Sequence, residues 1–209
     1  MDTQHDYLLI VEDDLDILKL LDAMLTFNGY RVVMARNGRE GLEIIQTKRP
    51  AIIITDIMMP KLDGFGLVHR LRINPETRDI PVVIMTATYI APEDREFALN
   101  IGATRFIQKP VDLEKFLATI ADLMNEDAPA PIEPSRSFNF YDGYRARLET
   151  KLGQKDKQIA RYEHMLVTQA GAGEDQSIRA RLRQVVGERD ELKFLLEQIH
   201  DQLEKPSNS

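Results

Sequence analysis

A chain of 209 residues with no cysteine and a formal net charge of −7 is long enough for one domain plus an appendage, or for two small domains. It can make neither disulfides nor thiol chemistry, and its acidity argues against broad electrostatic binding to nucleic acid. No apolar run approaches the roughly 18 residues needed to span a bilayer, and residues 1–6 lack the basic start of a secretory signal, so the expectation is a cytoplasmic protein without membrane insertion.

Residues 7–11 form a short continuous apolar run, as expected of a strand buried on both faces of a parallel sheet. Ile17, Leu20, Leu21, Met24 and Leu25 then recur at helical spacing, and Asn28-Gly29 supplies a left-handed helix stop. A second strand is expected over 30–35 and a second helix over 38–48. The third strand, 51–55, delivers Asp56 at its tip, and a helix over 65–73 follows. The alternation closes with a strand at 82–85, a helix at 92–101, a strand at 105–108 and a helix at 112–123. Five strand-then-helix units joined by short loops imply right-handed crossovers and helices on both faces. Residues 1–124 therefore read as a doubly wound α/β domain.

Residues 125–137 contain three prolines and no apolar periodicity, the composition of an extended linker. Residues 138–205 change style. Leu148, Leu152, Ile159, Tyr162 and Leu166 alternate steps of four and three, with Lys155 in the missing seam position. Ile178, Leu182, Val185, Leu192, Leu196, Ile199 and Leu203 repeat the pattern, with Arg189 on the seam. The two registers do not join, and Ala170-Gly171-Ala172-Gly173 lies between them. The expectation is a helical hairpin of coiled-coil type, each arm about 42 Å long, that pairs with a second copy into a homodimer or with a partner helix. Lys155 and Arg189 would then set register or partner choice.

In an open parallel sheet, ligands bind beyond the carboxyl ends of the strands, where strand order reverses. The unusual polar residues Glu12, Asp13, Asp56, Thr86 and Lys109 all fall at such ends. Carboxylates gathered there repel by about 4 kcal/mol per pair at about 4 Å and an effective dielectric near 20, so a cation must compensate. Magnesium suits oxygen ligands, and Lys109 adds a fixed positive charge. The set fits phosphoryl transfer to a carboxylate. Asp56 is the nucleophile, Lys109 and the metal ion neutralise the phosphoryl oxygens, and the Thr86 hydroxyl donates to one of them.

Val11-Glu12-Asp13-Asp14, the run Asp56-x-x-Met59-Pro60-x-x-Asp63-Gly64, Thr86-Ala87, Gly102-Ala103 and Lys109-Pro110 together resemble the receiver domain of two-component response regulators, over residues 7–123. The resemblance implies a flavodoxin-like sheet of order 2-1-3-4-5. It implies that Asp56 takes its phosphoryl group from a histidine kinase or phosphotransfer protein. Asp13 and Asp56 would bind magnesium directly, Met58 through its carbonyl and Glu12 through water. Thr86 and Phe106 would be the switch pair, and Lys109-Pro110 a cis peptide. Such a protein is a phosphoacceptor rather than an enzyme, with magnesium-dependent gain and loss of phosphate at Asp56 only.

Plainer roles stand beside these. Asp14 caps a helix, Asp63-Gly64 marks a turn, Met59 fills the core, and His5, His69 and His200 lie on the surface. For the second half, a protein-interaction module is the leading expectation. A DNA-binding output is the alternative, its basic residues being interleaved with acids and nucleic acid therefore not expected. A further alternative is a phosphotransfer role for His164, on an exposed face of the first arm.

Overall fold

The structure, a computed structural model, describes residues 7–86, 92–125, 139–168 and 174–203. The chain divides between residues 138 and 139 into two compact units. The linker expected over 125–137 (Asn125 aside), the turn expected at 170–173, Ala87 and His5 all lie outside the described residues.

In the first unit, β1 (Leu8–Val11), β2 (Val32–Ala35), β3 (Ile52–Asp56), β4 (Val82–Thr86) and β5 (Arg105–Gln108) form one sheet in the order β2-β1-β3-β4-β5. Every pairing is parallel, so this is the doubly wound, flavodoxin-like sheet expected. β1, β3 and β4 are buried along their whole length while the edge strands β2 and β5 are not, which is why the central strands read as unbroken apolar runs. Side chains alternate across a strand. Leu8 and Ile10, Ile52 and Ile54, and Val83 and Met85 form one core with Leu18, Leu21 and Leu25 of α1 (Leu15–Phe27) and Phe116, Ile120 and Leu123 of α5 (Leu113–Met124). Each such side chain contributes about 2 kcal/mol of burial. α2 (Gly38–Thr47), α3 (Gly64–Ile73) and α4 (Pro92–Asn100) complete the unit. The Phe65 ring meets the Phe97 ring edge-on at 4.9 Å.

The direction in which successive strands are added across the sheet reverses between β1 and β3. The register Val11↔Thr55, Asp56↔Met85 and Thr86↔Gln108 brings the carboxyl ends of β1, β3, β4 and β5 to neighbouring levels. Helix starts at this rim are fixed by side chains. Asp14 accepts from the N–H groups of Asp16 (2.9 Å) and Ile17 (3.2 Å), and Asp63 from that of Gly66 (2.8 Å).

His69 departs from its expected surface position. It is half-buried on α3, and burial, with the Arg70 charge adding, pulls its pKa down to about 4. The neutral imidazole therefore contributes stability that is fully present above its ordinary 6.5 and lost as pH falls from there toward 4. His69→Gln should flatten the fall in stability over that window, as read by urea unfolding at a series of pH values.

In the second unit, α6 (Phe140–Thr168) packs along α7 (Glu174–Leu203). The helices are about 44 Å long, whereas the five residues joining them reach at most about 21 Å. They must therefore run antiparallel. Lys155 Nζ meets Glu188 Oε2 at 2.5 Å across the pair, so Lys155 reaches α7, with both side chains half-buried. Arg189 instead pairs with its neighbour Asp190 on the same helix, at 2.8 Å. Leu148 and Ile159 on α6, and Val185, Leu192 and Ile199 on α7, are buried as the heptads require. Leu152, Tyr162, Leu166, Ile178, Leu182 and Leu196 are only half-buried. Leu195, Phe140 and Tyr144 are buried outside the expected seam. Phe140, Tyr144 and Leu148 step by fours, following the 3.6-residue turn rather than a 3.5-residue heptad.

Candidate functional site

β1 ends by placing Glu12, 3 % exposed, at the sheet rim, and β3 ends by placing Asp56 there, 9 % exposed. The Lys109 ammonium, just beyond β5, donates to both: to Glu12 Oε2 at 2.5 Å and to Asp56 Oδ1 at 2.7 Å. The other Asp56 oxygen, Oδ2, accepts from the Met58 N–H at 2.7 Å, so both carboxylate oxygens are held. Glu12 Oε1 accepts a longer bond, 3.4 Å, from the Asp14 N–H. Lys109 is tied to β4 by its own N–H, which donates to the Thr86 carbonyl at 2.7 Å. The Lys109–Pro110 peptide is cis.

Gly64 makes this loop possible. Its N–H donates to the Ile57 carbonyl at 2.9 Å, and a Cβ at this position would stand 2.1 Å from the Asp56 carbonyl oxygen. Asp63-Gly64 is thus more than a turn marker. The aspartate caps α3 and the glycine lets the start of α3 approach the backbone of Asp56.

The remaining expected residues sit as follows. Asp13 is exposed just past β1, Thr86 is buried at the end of β4, Phe106 is half-buried in β5, and Met58 is half-buried. Met59 is core, at 2 % exposure. His164 is exposed on α6 in the other unit.

The electrostatics show a rim short of positive charge. Burial, reinforced by the Asp56 charge, raises the Glu12 carboxyl above its ordinary value even though Lys109 pulls it down. Burial also raises Asp13, with Asp56 and Asp14 adding to the effect. Burial alone would lower the Lys109 pKa, but the Asp56 charge and its hydrogen bond, with those of Glu12, outweigh it and hold the ammonium above its usual value. Lys109 therefore contributes stability that is fully present below its ordinary 10.5 and lost as pH rises through the higher folded value.

Among the described residues no three acidic or histidine side chains already surround one point. Lys109 occupies the space between Glu12 and Asp56. The donor set itself is all oxygen, and two of its carboxyls are raised by burial with the neighbouring Asp56 charge adding, which fits a hard divalent cation.

Lys109→Ala should leave two nearly buried carboxylates without their cation and cost about 3 kcal/mol at neutral pH. Protonated Glu12 needs no counter-charge, so the deficit should shrink as pH is lowered through the raised Glu12 range. Thermal unfolding of both proteins at pH 7 and near pH 4 checks this.

Residues 8–121 match the family model described as the response regulator receiver domain. The chain belongs to the response regulator receiver family. It carries the receiver domain of a response regulator, a component of two-component signalling. Response regulator MprA of Mycolicibacterium vanbaalenii is 37 % identical over 122 residues, covering 58 % of this chain and 52 % of that one. The probable transcriptional regulator ycf27 of Porphyra purpurea is 36 % identical over 124 residues, covering 59 % and 49 %. The match thus spans about half the length of these curated relatives. Chemotaxis response regulator CheY4 of Vibrio cholerae superposes with a TM-score of 0.53 at 30 % identity, covering 57 % of this chain and 98 % of its own. The receiver domain of a signal transduction histidine kinase from Syntrophus aciditrophicus gives 0.55 at 31 %, covering 64 % and 97 %. The relative named a transcriptional regulator gives no support to the expectation that nucleic acid plays no part. No helix among the described residues is long and apolar enough to cross a membrane.

Proposed function

We propose that Asp56 accepts a phosphoryl group from a phosphohistidine on a histidine kinase or phosphotransfer protein. The supporting observation is a carboxylate at a strand tip with both oxygens held, one by Lys109 and one by the Met58 N–H, each at 2.7 Å. One Asp56 oxygen attacks phosphorus, the bond from phosphorus to the imidazole nitrogen breaks, and the imidazole leaves and takes up a proton. The Lys109 ammonium neutralises charge on the phosphoryl oxygens, and the Thr86 hydroxyl donates to one of them. Asp13 and Asp56 directly, Met58 through its carbonyl and Glu12 through water would hold magnesium, whose chemistry is further neutralisation of those oxygens. Water later cleaves the acyl phosphate, so the protein is a phosphoacceptor that resets itself.

The new charge draws Thr86 inward, and Phe106 follows into the vacated space. Residues 1–124 form the receiver, 125–137 the linker, and 138–205 the output, a helical module that binds another copy of itself in the cytoplasm. A DNA-binding output remains the second reading, favoured by the relative named a transcriptional regulator and by Arg179, Arg181 and Arg183 close together on α7.

Incubating the chain with acetyl phosphate and magnesium should introduce one phosphoryl group that hydroxylamine removes and that a chelator prevents from forming. A label resistant to hydroxylamine would count against an acyl phosphate.

A further inference from the structure

Packing against α6 leaves one face of α7 unused. Val185, Leu192, Leu195 and Ile199 are buried. At 100° per residue the opposite face carries Arg183, Gly187, Asp190, Phe194 and Glu197, all of them exposed. Phe194 keeps 50 % of its surface in solvent. Gly187 sits in the helix interior, where glycine is unfavourable relative to alanine, and nothing lies within 4 Å of where its Cβ would be. Neither Arg183 nor Glu197 has a hydrogen-bond or ion-pair partner among the described residues.

These features are complementary to their own reverse. Positions 183, 190 and 197 are evenly spaced, so Arg183 and Glu197 lie equally far on either side of Asp190. When two α7 helices cross antiparallel about a two-fold axis at Asp190, Arg183 of each copy meets Glu197 of the other. Phe194 and Gly187 lie on the same flank of that stripe, about equally far from the axis, so each ring lies over the open space beside the other copy's glycine. The two Asp190 carboxylates approach each other at the axis, each already paired with its own Arg189 at 2.8 Å.

We infer that the outward face of α7 is the docking surface for a second copy of this chain, aligned antiparallel, with Glu197 of the second copy on Arg183 and its Phe194 against Gly187. The inference rests on the reading of the two-helix unit as an interaction module. It adds the face, the orientation and the residues.

Sedimentation equilibrium of the full chain at low salt, with and without beryllofluoride and magnesium, tests it. A dimer is expected in at least one state. Arg183→Glu and Glu197→Arg should each weaken it about tenfold, and the double variant R183E/E197R should return it to within about threefold of wild type. Phe194→Ala should weaken it by a similar factor. Gly187→Ala should raise the helix's own thermal stability yet weaken the dimer, which separates loss of docking from loss of folding. A dimer as tight in both single reversals as in wild type would overturn this face and leave the interaction module standing. A wild-type chain monomeric up to about 100 µM in every state would overturn self-association altogether.

Discussion

Asp56→Asn is expected to reduce phosphoryl labelling to background while leaving the receiver folded. The amide oxygen can still accept from the Met58 N–H, so the turn after β3 keeps its tie. Its amide nitrogen faces the Lys109 ammonium, donor against donor, a loss of about 1–2 kcal/mol. Lys109 nevertheless keeps its 2.5 Å bond to Glu12. What disappears is the nucleophile. The substitution also removes a negative charge that raises both Glu12 and Asp13, so both carboxyls should titrate lower in the variant, as followed by carbon-detected NMR. A variant that unfolds would show that the Asp56–Lys109 bond is needed for the fold. A folded variant that still takes up a full equivalent of label would show that the phosphoryl group goes elsewhere.

Gly64→Ala should have the largest effect on stability, a loss of about 3 kcal/mol or more. The added methyl group would stand 2.1 Å from the Asp56 carbonyl oxygen and 3.1 Å from the Asp56 carbonyl carbon and the Ile57 Cα. All three are backbone atoms, so no side chain can swing aside. Either the start of α3 retreats or the tip of β3 moves, and movement of β3 carries the Asp56 carboxylate away from Lys109. The melting temperature should fall by about 10 °C or more, and any variant that stays folded should be labelled more slowly. Gly153→Ala is the matched control. Nothing lies within 4 Å of its built Cβ, so alanine there should stabilise α6 by up to about 1 kcal/mol. Equal melting temperatures for wild type and Gly64→Ala would mean that the loop after Asp56 is more pliable than this geometry implies.

The fold was legible because the central strands are buried on both faces and therefore uninterrupted in their apolar sequence. Residues such as Ile52, Ile53 and Ile54 leave little alternative within so short a segment. The start of α1 was legible from its cap, since Asp14, expected to cap a helix, directly precedes Leu15, where α1 begins. The site residues could be gathered at one rim from strand ends alone. Which atoms meet could not be read, since Glu12, Asp56 and Lys109 come together only when β1, β3 and β5 share a sheet. The closeness of Gly64 to Asp56 was hidden for the same reason, as a glycine needed for close approach looks in sequence like one needed for a turn. In the second unit, burial of Phe140, Tyr144 and Leu195 depends on how straight helices rotate past each other. A strict heptad template misses that drift, and the half-burial of His69 depends on neighbours beyond its own helix.

The proposed chemistry takes place at one carboxylate, and borohydride can report it atom by atom. Hydride reduces an acyl phosphate to an alcohol, so labelled protein treated in this way should yield, by peptide mass spectrometry, the homoserine side chain at position 56 and nowhere else. Unreduced Asp56 in fully labelled protein, or phosphate found on His164 instead, would contradict it.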